Sequence, residues 1–284
     1  MPETATLLVS CPDQKGLVAG ISSFISHNGG NILQSDQYTD LEAGIFLARF
    51  EFHLDGFQIP ADQIGELFRP LAEQFKMKFE LHFSRHQPKV ALFASRLPHC
   101  LEDLLQRQQA GEFNAEIAVV VSNHPDLRNI ADRYRVPFLH FSITPENKKQ
   151  QETEELRELR SRAIELIVLA RYMQVLSEDF IANYPNRIIN IHHSFLPAFV
   201  GAKPYHQAFL RGVKLIGATG HYVTMNLDEG PIIEQDVARV SHRDSIEDTI
   251  RKGRDLERTV LGRAVRLHLC HRVLTYGNKT VVFD

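Results

Sequence analysis

The sequence predicts an α/β protein with two domains, and three observations lead to this prediction. Its 284 residues exceed the usual size of one domain, which is about 100–200 residues. Over residues 1–84, strand and helix patterns follow the order β-α-β-β-α-β, which is typical of a ferredoxin-like sandwich. Beyond residue 89, short apolar strands alternate with helical patterns, which indicates parallel βαβ units and a Rossmann-like, open, doubly wound parallel sheet.

The expected first domain, residues 1–84, begins with the apolar strand Thr6–Ser10. Asp13 follows in a turn, where its side chain is placed to cap a helix. That helix carries an apolar stripe and is stopped by the pair Gly29 and Gly30. The remaining elements are two strands, a second helical stripe and a final strand, over Ile32–Tyr38, Gly44–His53, Ile64–Phe75 and Met77–Phe83.

The second domain is expected over residues 89–284, after a polar seam at residues 84–89 that contains a proline. Its predicted strands are Lys89–Ala94, Glu116–Val121, Phe138–Phe141, Glu165–Ala170 and Arg187–Ile191. Helical patterns between the first four strands cover Leu101–Gln109, Leu127–Tyr134 and Gln150–Arg162. Later elements are strands over residues 216–224 and 232–237, a long helix from about Ser245 to Arg272, and the strand Thr280–Phe283.

The composition excludes several classes of protein. Hydrophobic residues make up 43%, charged residues 24%, and the formal net charge is −3, so no strong field favours nucleic acid or an anionic membrane. No apolar run approaches the ~20 residues that a membrane span needs, and the N-terminus lacks a secretory signal pattern. Cys11, Cys100 and Cys270 are widely spaced, which fits reduced thiols. We therefore expect a cytoplasmic protein that binds neither nucleic acid nor membrane.

Polar residues follow two of the later strands. Asn190 and His192 alternate at the carboxyl end of a strand, so both face one side, at the edge where open sheets bind ligands. Taken alone, they are also compatible with a turn asparagine and a hydrogen-bonded core histidine. Asp228 lies in a loop just before Gly230 and Pro231, where ordinary turn chemistry is the simpler interpretation.

Together these segments resemble the folate-dependent formyltransferase family. The motifs are Asn190-Ile-His192-His-Ser194-Phe-Leu196-Pro197, Gly217-Ala-Thr219-Gly-His221 and Leu227-Asp228-Glu-Gly230-Pro231. The resemblance covers about residues 89–284 and implies that Asn190, His192 and Asp228 are catalytic, with His221 as a further active-site histidine. It also implies a folate substrate, bound by the segment Arg171, Tyr172, Met173, Gln174, Val175 and Leu176. On pattern alone, the apolar members of that segment are equally compatible with the core.

The N-terminal motifs resemble an ACT domain. They are Cys11-Pro-Asp-Gln-Lys-Gly16 and Gly29-Gly30-Asn31-Ile32. An ACT domain before a formyltransferase-like domain resembles the branch of the family that hydrolyses 10-formyltetrahydrofolate to formate and tetrahydrofolate. The resemblance implies a homo-oligomer, a small amino-acid effector near residues 13–20 and 29–32, and a role in purine biosynthesis and the balance of one-carbon folate pools.

The turn after the first strand of the second domain favours hydrolysis over transfer. Transferases of the family hold the phosphate of their acceptor in a glycine-rich turn, whose amides form an anion cradle. The equivalent segment, Ser95-Arg-Leu-Pro98-His99, has no glycine, and Pro98 removes an amide donor. His193 also stands where transferases usually have proline. Water is then the expected acceptor; the alternative is formyl transfer to an amine such as glycinamide ribonucleotide.

Two further alternatives remain open from the sequence. A metal hydrolase would use ligands among His192, His193, His221 and Asp228, but no paired metal-ligand spacing is present. We therefore expect neither a metal nor another cofactor. In a non-enzymatic regulator, the ACT domain would sense an amino acid and the α/β domain would respond.

Overall fold

The computed structural model describes residues 2–196 and 204–283, so Pro197 of the first motif lies outside the described residues. The chain divides into two compact units. The first comprises the residues up to Gln87, together with His271–Tyr276 and the segment from Val281 onward. The second comprises Pro88–Cys270 and Gly277–Thr280. None of the described helices combines the length and the apolar character that a membrane span requires.

The first unit has the predicted βαββαβ order. Its strands are β1 (Thr4–Pro12), β2 (Ile32–Asp40), β3 (Ile45–His53) and β4 (Lys78–Phe83), and its helices are α1 (Leu17–His27) and α2 (Ile64–Gln74). The sheet order is β2-β3-β1-β4, with every neighbouring pair antiparallel. Ile21 of α1, Phe68 of α2 and Phe50 of β3 are fully buried between the helices and the sheet. The ferredoxin-like prediction is therefore confirmed.

The start of α1 differs from the prediction. Gly16, with a φ of 93°, occupies the capping position, and no side chain caps the helix. Asp13 instead donates its backbone N–H to the Gly44 carbonyl at 2.9 Å. The predicted cap at Asp13 is wrong, because Gly16 occupies the capping position in a left-handed conformation that glycine adopts readily.

The second unit is built on a seven-stranded sheet of order β11-β10-β9-β8-β5-β6-β7. The strands are β5 (Lys89–Ala94), β6 (Glu116–Ser122), β7 (Phe138–His140), β8 (Leu166–Leu169), β9 (Ile188–His192), β10 (Leu215–Tyr222) and β11 (Ile232–Arg239). The helices are α3 (His99–Gln109), α4 (Arg128–Arg133), α5 (Lys148–Ser161), α6 (Glu178–Ile181), α7 (Pro204–Arg211) and α8 (Ile246–Leu269). A short 3-10 turn, Pro125–Leu127, precedes α4.

The sheet is parallel over five strands and antiparallel at one edge. Strands β5 to β9 pair in parallel, which confirms the predicted doubly wound sheet. Strand β10 runs antiparallel to both β9 and β11. The loop between β10 and β11 is too short for a parallel crossover, so these strands form a hairpin. That hairpin loop carries Asp228.

The C-terminal end differs from the prediction. Helix α8 ends at Leu269 rather than Arg272, and a hairpin of β12 (Val273–Tyr276) and β13 (Lys279–Val282) follows. Phe283 is buried against Leu8 and Leu47 of the first unit's sheet. Residues 271–276 and those from 281 onward therefore belong to the first compact unit, whereas the sequence prediction placed the whole C-terminal end in the second domain.

Candidate active site

Three polar side chains meet where β9 and β10 lie side by side. Asn190 and His192 are on β9, and the antiparallel register pairs Asn190 with His221 of β10. The Asn190 amide nitrogen lies 3.2 Å from His221 Nε2. Because His221 Nδ1 lies 2.9 Å from the Tyr222 carbonyl, which can only accept, the neutral ring carries its proton on Nδ1. His221 Nε2 then accepts from the Asn190 amide and orients it.

Asp228 reaches the same point from the β10–β11 loop. Its Oδ2 lies 3.2 Å from His192 Nδ1, and its Oδ1 lies 3.6 Å from His221 Nε2. The second N–H of Asn190 is 3.5 Å from Asp228 Oδ1, at the limit of a hydrogen bond. Asp228 itself has a φ of 57°, a left-handed conformation that is uncommon outside glycine and is found at strained functional positions. The structure therefore brings together Asn190, His192 and Asp228.

The carboxylate of Asp228 is held in its charged form. The hydrogen bond from His192 lowers the pKa of Asp228 well below its usual range, despite partial burial. His192 is buried, and its Nε2 has no hydrogen-bond partner among the described residues. A buried ring nitrogen without a partner needs an explanation, and a substrate oxygen is one. With Nδ1 facing Asp228, the free Nε2 is the atom available to that oxygen.

The segment Arg171–Leu176 contributes both to the site and to the core. All six residues line the same cavity as the catalytic candidates. Met173 and Val175 are 61% and 57% exposed, whereas Tyr172 and Leu176 are buried in the core of the unit. The segment is anchored by Ser95, whose hydroxyl accepts from Met173 N at 2.9 Å and whose N–H donates to the Arg171 carbonyl at 3.2 Å. Met173 and Val175 are thus the exposed apolar members of the segment on the cavity wall.

The cavity has a volume of about 680 Å³, within the range of small-molecule sites. Its wall combines apolar side chains with the polar group described above. The apolar part includes Leu97, Leu169, Met173, Val175, Val223 and Met225, and the polar part includes Asn190, His192, His221 and Asp228. Such a cavity suits a flat, largely apolar ring that carries a reactive polar group.

Glu257 of α8 also lines this cavity, although it was not predicted from the sequence. It is 1% exposed, and its Oε1 accepts from the Tyr205 hydroxyl at 2.6 Å. Its Oε2 lies 2.8 Å from His99 Nε2 and 3.4 Å from Arg171 Nε. Burial raises the pKa of Glu257, but the hydrogen bond from His99 and the charge of Arg171 more than offset this, and the pKa is lowered.

A sequence signal for Glu257 did exist. It lies three, four and seven residues before Val260, Leu261 and Ala264, which are all buried, so it occupies the apolar stripe of α8. A carboxylate at such a position must have polar partners inside the protein. The sequence pattern predicted the helix but not this buried carboxylate.

His99, Cys100 and Glu257 lie close enough together to suggest a metal site among the described residues. Their chemistry argues against a cation. Both oxygens of Glu257 already face hydrogen-bond donors, and the Arg171 guanidinium supplies a positive charge. Burial raises the pKa of the Cys100 thiol well above its usual range, which disfavours the thiolate that metals bind.

Comparisons with known proteins identify the family. The family model described as formyl transferase matches residues 88–265, which contain the whole site. The chain belongs to the formyl transferase family. The ACT domain model matches residues 5–73 of the first unit.

Relatives within this family differ in how much of the chain they match. A curated formyltetrahydrofolate deformylase of Synechocystis sp. is 58% identical over 99% of this chain and 98% of its own length. The crystal structure of a formyltetrahydrofolate deformylase from Pseudomonas syringae pv. tomato has a TM-score of 0.98 and 48% identity, and the match covers 100% of this chain and 95% of that chain. A glycinamide ribonucleotide transformylase from Symbiobacterium toebii has a TM-score of 0.66 and 31% identity, covering 72% of this chain and 98% of that chain.

Proposed function

We propose that this protein hydrolyses 10-formyltetrahydrofolate to formate and tetrahydrofolate. Relatives named for that reaction match the chain over its full length, including the ACT domain, whereas the transformylase matches part of it. The proposal assigns Asn190, His192 and Asp228 to catalysis. Seven further residues bind or border the folate: Arg171, Tyr172, Met173, Gln174, Val175, Leu176 and His221.

One observation carries the choice of water over a phosphorylated acceptor. The buried Glu257 carboxylate contacts His99, the first residue of α3, and lies beside Cys100, the second. The start of this helix is where the family resemblance places the phosphate of an amine acceptor. Because His99 Nε2 is already held by the Glu257 carboxylate at 2.8 Å, this donor at the helix start is not free to bind a phosphate. The preceding turn is also occupied, since the Ser95 N–H donates to Arg171.

The proposed mechanism places the formyl oxygen between Asn190 and His192. Water attacks the formyl carbon and creates a tetrahedral oxyanion, which accepts from His192 Nε2–H. It also accepts from the second N–H of Asn190, whose contact with Asp228 Oδ1 is only at the limit of a hydrogen bond. One positioned donor of this kind is worth about 3–4 kcal/mol in the barrier. The protein groups are already oriented before reaction, because His221 holds Asn190 and Asp228 holds His192.

Asp228 has two roles in this mechanism. Its negative charge, 3.2 Å from His192 Nδ1, orients the ring and stabilises the positive charge that develops on it as Nε2–H donates to the oxyanion. A carboxylate of such low pKa is a weak base, so the water proton passes to it only as the new C–O bond forms. The C–N10 bond then breaks, N10 leaves with that proton, and the formic acid releases its remaining proton to solvent to give formate. No metal or other cofactor is required by these steps.

We further propose a cellular role for this reaction. Formate released in the cytoplasm supplies purine biosynthesis and lowers the pool of formylated folate. The ACT domain match supports regulation by a small amino acid bound near residues 13–20 and 29–32, and ACT domains commonly act within a homo-oligomer. Buried, unpaired Cys11 and Cys100 fit a reducing compartment. Calorimetry with a panel of amino acids tests the effector; no heat of binding with any of them contradicts it.

The deciding experiment is incubation of the purified protein with 10-formyltetrahydrofolate and no amine. We expect stoichiometric formate and tetrahydrofolate, measured by chromatography and by absorbance. Tetrahydrofolate and a formylated amine that form only when glycinamide ribonucleotide or another amine is added, without formate, would show that the protein is a transferase.

A further inference from the structure

His193 follows the catalytic histidine, and the mechanism above leaves it without a role. Its Nδ1 lies 2.6 Å from Nη1 of Arg171. Because a guanidinium can only donate, His193 Nδ1 accepts this hydrogen bond. The proton of the neutral ring must then be on Nε2. The contact with Arg171 therefore fixes one tautomer, which presents an N–H donor on the edge away from Arg171.

The surroundings also keep this ring neutral. Burial, followed by the positive charge of Arg171, lowers the pKa of His193 to about 4, although the Glu257 carboxylate acts in the opposite direction. His192 and Asp228 are the other charged or titratable groups that act on the ring. Their effects are smaller: His192 lowers the pKa of His193, and Asp228 raises it. At neutral pH the ring is a hydrogen-bond donor without a charge.

Arg171 is held in place from its other side by Glu257. The ion pair between them is 3.4 Å long, and the two side chains are 11% and 1% exposed. Burying such charges is costly, and well-packed apolar side chains are often more stable in their place. Glu257 is in turn held by His99 and Tyr205. This buried chain of contacts ends on His193, which indicates a role in orienting that ring.

His193 is also next to the reacting groups. Its ring centroid lies 5.2 Å from that of His192, and both rings line the cavity with Asp228. We propose that His193 binds the hydrolytic water, donating its Nε2–H to the water oxygen, while Arg171 and Glu257 act as positioning residues through it. This inference rests on the proposed function and names His193 as the residue that favours water as the acceptor.

In this arrangement the water keeps one lone pair for the attack and a proton for transfer. One lone pair of its oxygen accepts from His193, and the other attacks the formyl carbon. One of its protons passes to Asp228 and then to N10 as the C–N10 bond breaks. His193 gains and loses no proton, so it lowers the barrier by placing the water within bonding distance of the carbon.

Two variants test whether residue 193 must donate a hydrogen bond or only fill space. His193→Phe keeps a ring of similar size without an N–H, whereas His193→Gln carries an amide N–H near the position of Nε2. We expect kcat to fall by about 100-fold in His193→Phe and by less than about 10-fold in His193→Gln, with KM for the folate within about threefold of wild type in both. His242→Phe, at an exposed turn of the same unit, is the matched control.

A competing nucleophile provides a second measurement that does not depend on the fold of the Phe variant. In His193→Ala with added hydroxylamine, the amine attacks the formyl carbon, N10 leaves with a proton, and formohydroxamic acid forms. We expect formate release to fall while hydroxamate formation is retained, so that the hydroxamate-to-formate ratio rises by about 10-fold or more over wild type.

These outcomes are distinct from a failure of the proposed function, in which the wild type would release no formate without an amine. The inference is overturned if His193→Phe turns over like wild type, or if the Gln variant loses as much as the Phe variant. A parallel fall of formate and hydroxamate in His193→Ala would also overturn it, because the residue would then support the site as a whole rather than the water.

Discussion

Gly230 lies against the carbonyl oxygen of Tyr222, and a Cβ on Gly230 would be 1.8 Å from that oxygen. The Tyr222 N–H donates to the Pro231 carbonyl at 2.9 Å, so the two ends of the loop between β10 and β11 are joined at this point. Only glycine permits this approach of two backbones. The contact fixes where the loop begins and ends, and therefore where Asp228 enters the site.

Gly230→Ala should displace the loop and reduce catalysis more than it reduces folding. A shift of about 1 Å in Asp228 relative to His192 can lower kcat by about 100-fold. Steady-state kinetics and thermal melting measure the two effects separately. Gly65→Ala, where the nearest atom to the new Cβ is 3.8 Å away, is the control. Unchanged kcat in Gly230→Ala would show that this contact does not position Asp228.

Asp228→Asn tests the charge of the carboxylate with little change of shape. Asparagine tolerates the left-handed conformation of residue 228, so the variant should fold. Without the negative charge 3.2 Å from its Nδ1, the His192 ring is no longer oriented toward the oxyanion or stabilised as it donates, and we expect kcat to fall by about 100-fold or more.

The control for that variant is Asp132→Asn, on the exposed face of α4. Formate release from 10-formyltetrahydrofolate and circular dichroism are the measurements. An Asp228→Asn protein that keeps more than about a tenth of wild-type kcat would remove Asp228 from the catalytic group.

The parts of the site that local pattern encodes could be predicted from the sequence. The strand that ends at Asn190 and His192 was placed within one residue, since a buried strand of a parallel sheet is a short apolar run. Its meeting with Asp228 could be inferred only through the family resemblance. The direction of a side chain in a loop depends on contacts that are distant in sequence. Taken alone, Asp228 was therefore more simply interpreted as an ordinary turn residue.

Glu257 shows why the rest could not be predicted. Its partners His99 and Tyr205 are 158 and 52 residues away along the chain, so no local pattern reveals them. A charged residue on a long helix is usually solvated, and only its place in the apolar stripe of α8 marks it as unusual. The cap at Asp13 failed for a related reason, since a single left-handed glycine changed the start of α1.

Met173→Ser should weaken folate binding without unfolding the protein. Met173 is 61% exposed on the cavity wall, so little apolar area is lost in the free protein. If it covers the pterin ring, the loss of that contact costs about 1–2 kcal/mol, which raises KM by roughly 5–30-fold with kcat nearly unchanged. Leu210→Ser, at an 85% exposed position of α7, controls for polarity. A KM equal to wild type would remove Met173 from the folate site.

Glu155 of α5 is a fully buried carboxyl in contact with Tyr172 of the segment Arg171–Leu176. Its Oε1 accepts from the Tyr172 hydroxyl at 3.3 Å, and its Oε2 has no hydrogen-bond partner among the residues that the structure describes. Burial raises the pKa of Glu155 to about 7; the Tyr172 hydrogen bond opposes this shift, and the nearby charge of Glu152 adds to it. The folded protein therefore keeps this proton at pH values where the unfolded chain has lost it.

Stability should consequently fall as pH rises through the window between the unfolded pKa of 4.5 and the folded pKa of about 7. Glu155→Gln cannot ionise and keeps an oxygen for Tyr172, so the variant should gain up to about 3 kcal/mol relative to wild type between pH 5 and pH 8. Urea unfolding at both pH values measures this difference, and Glu154→Gln on the outer face of α5 is the control. A difference between wild type and Glu155→Gln that does not change with pH would mean that Glu155 is ionised in the folded protein throughout this range.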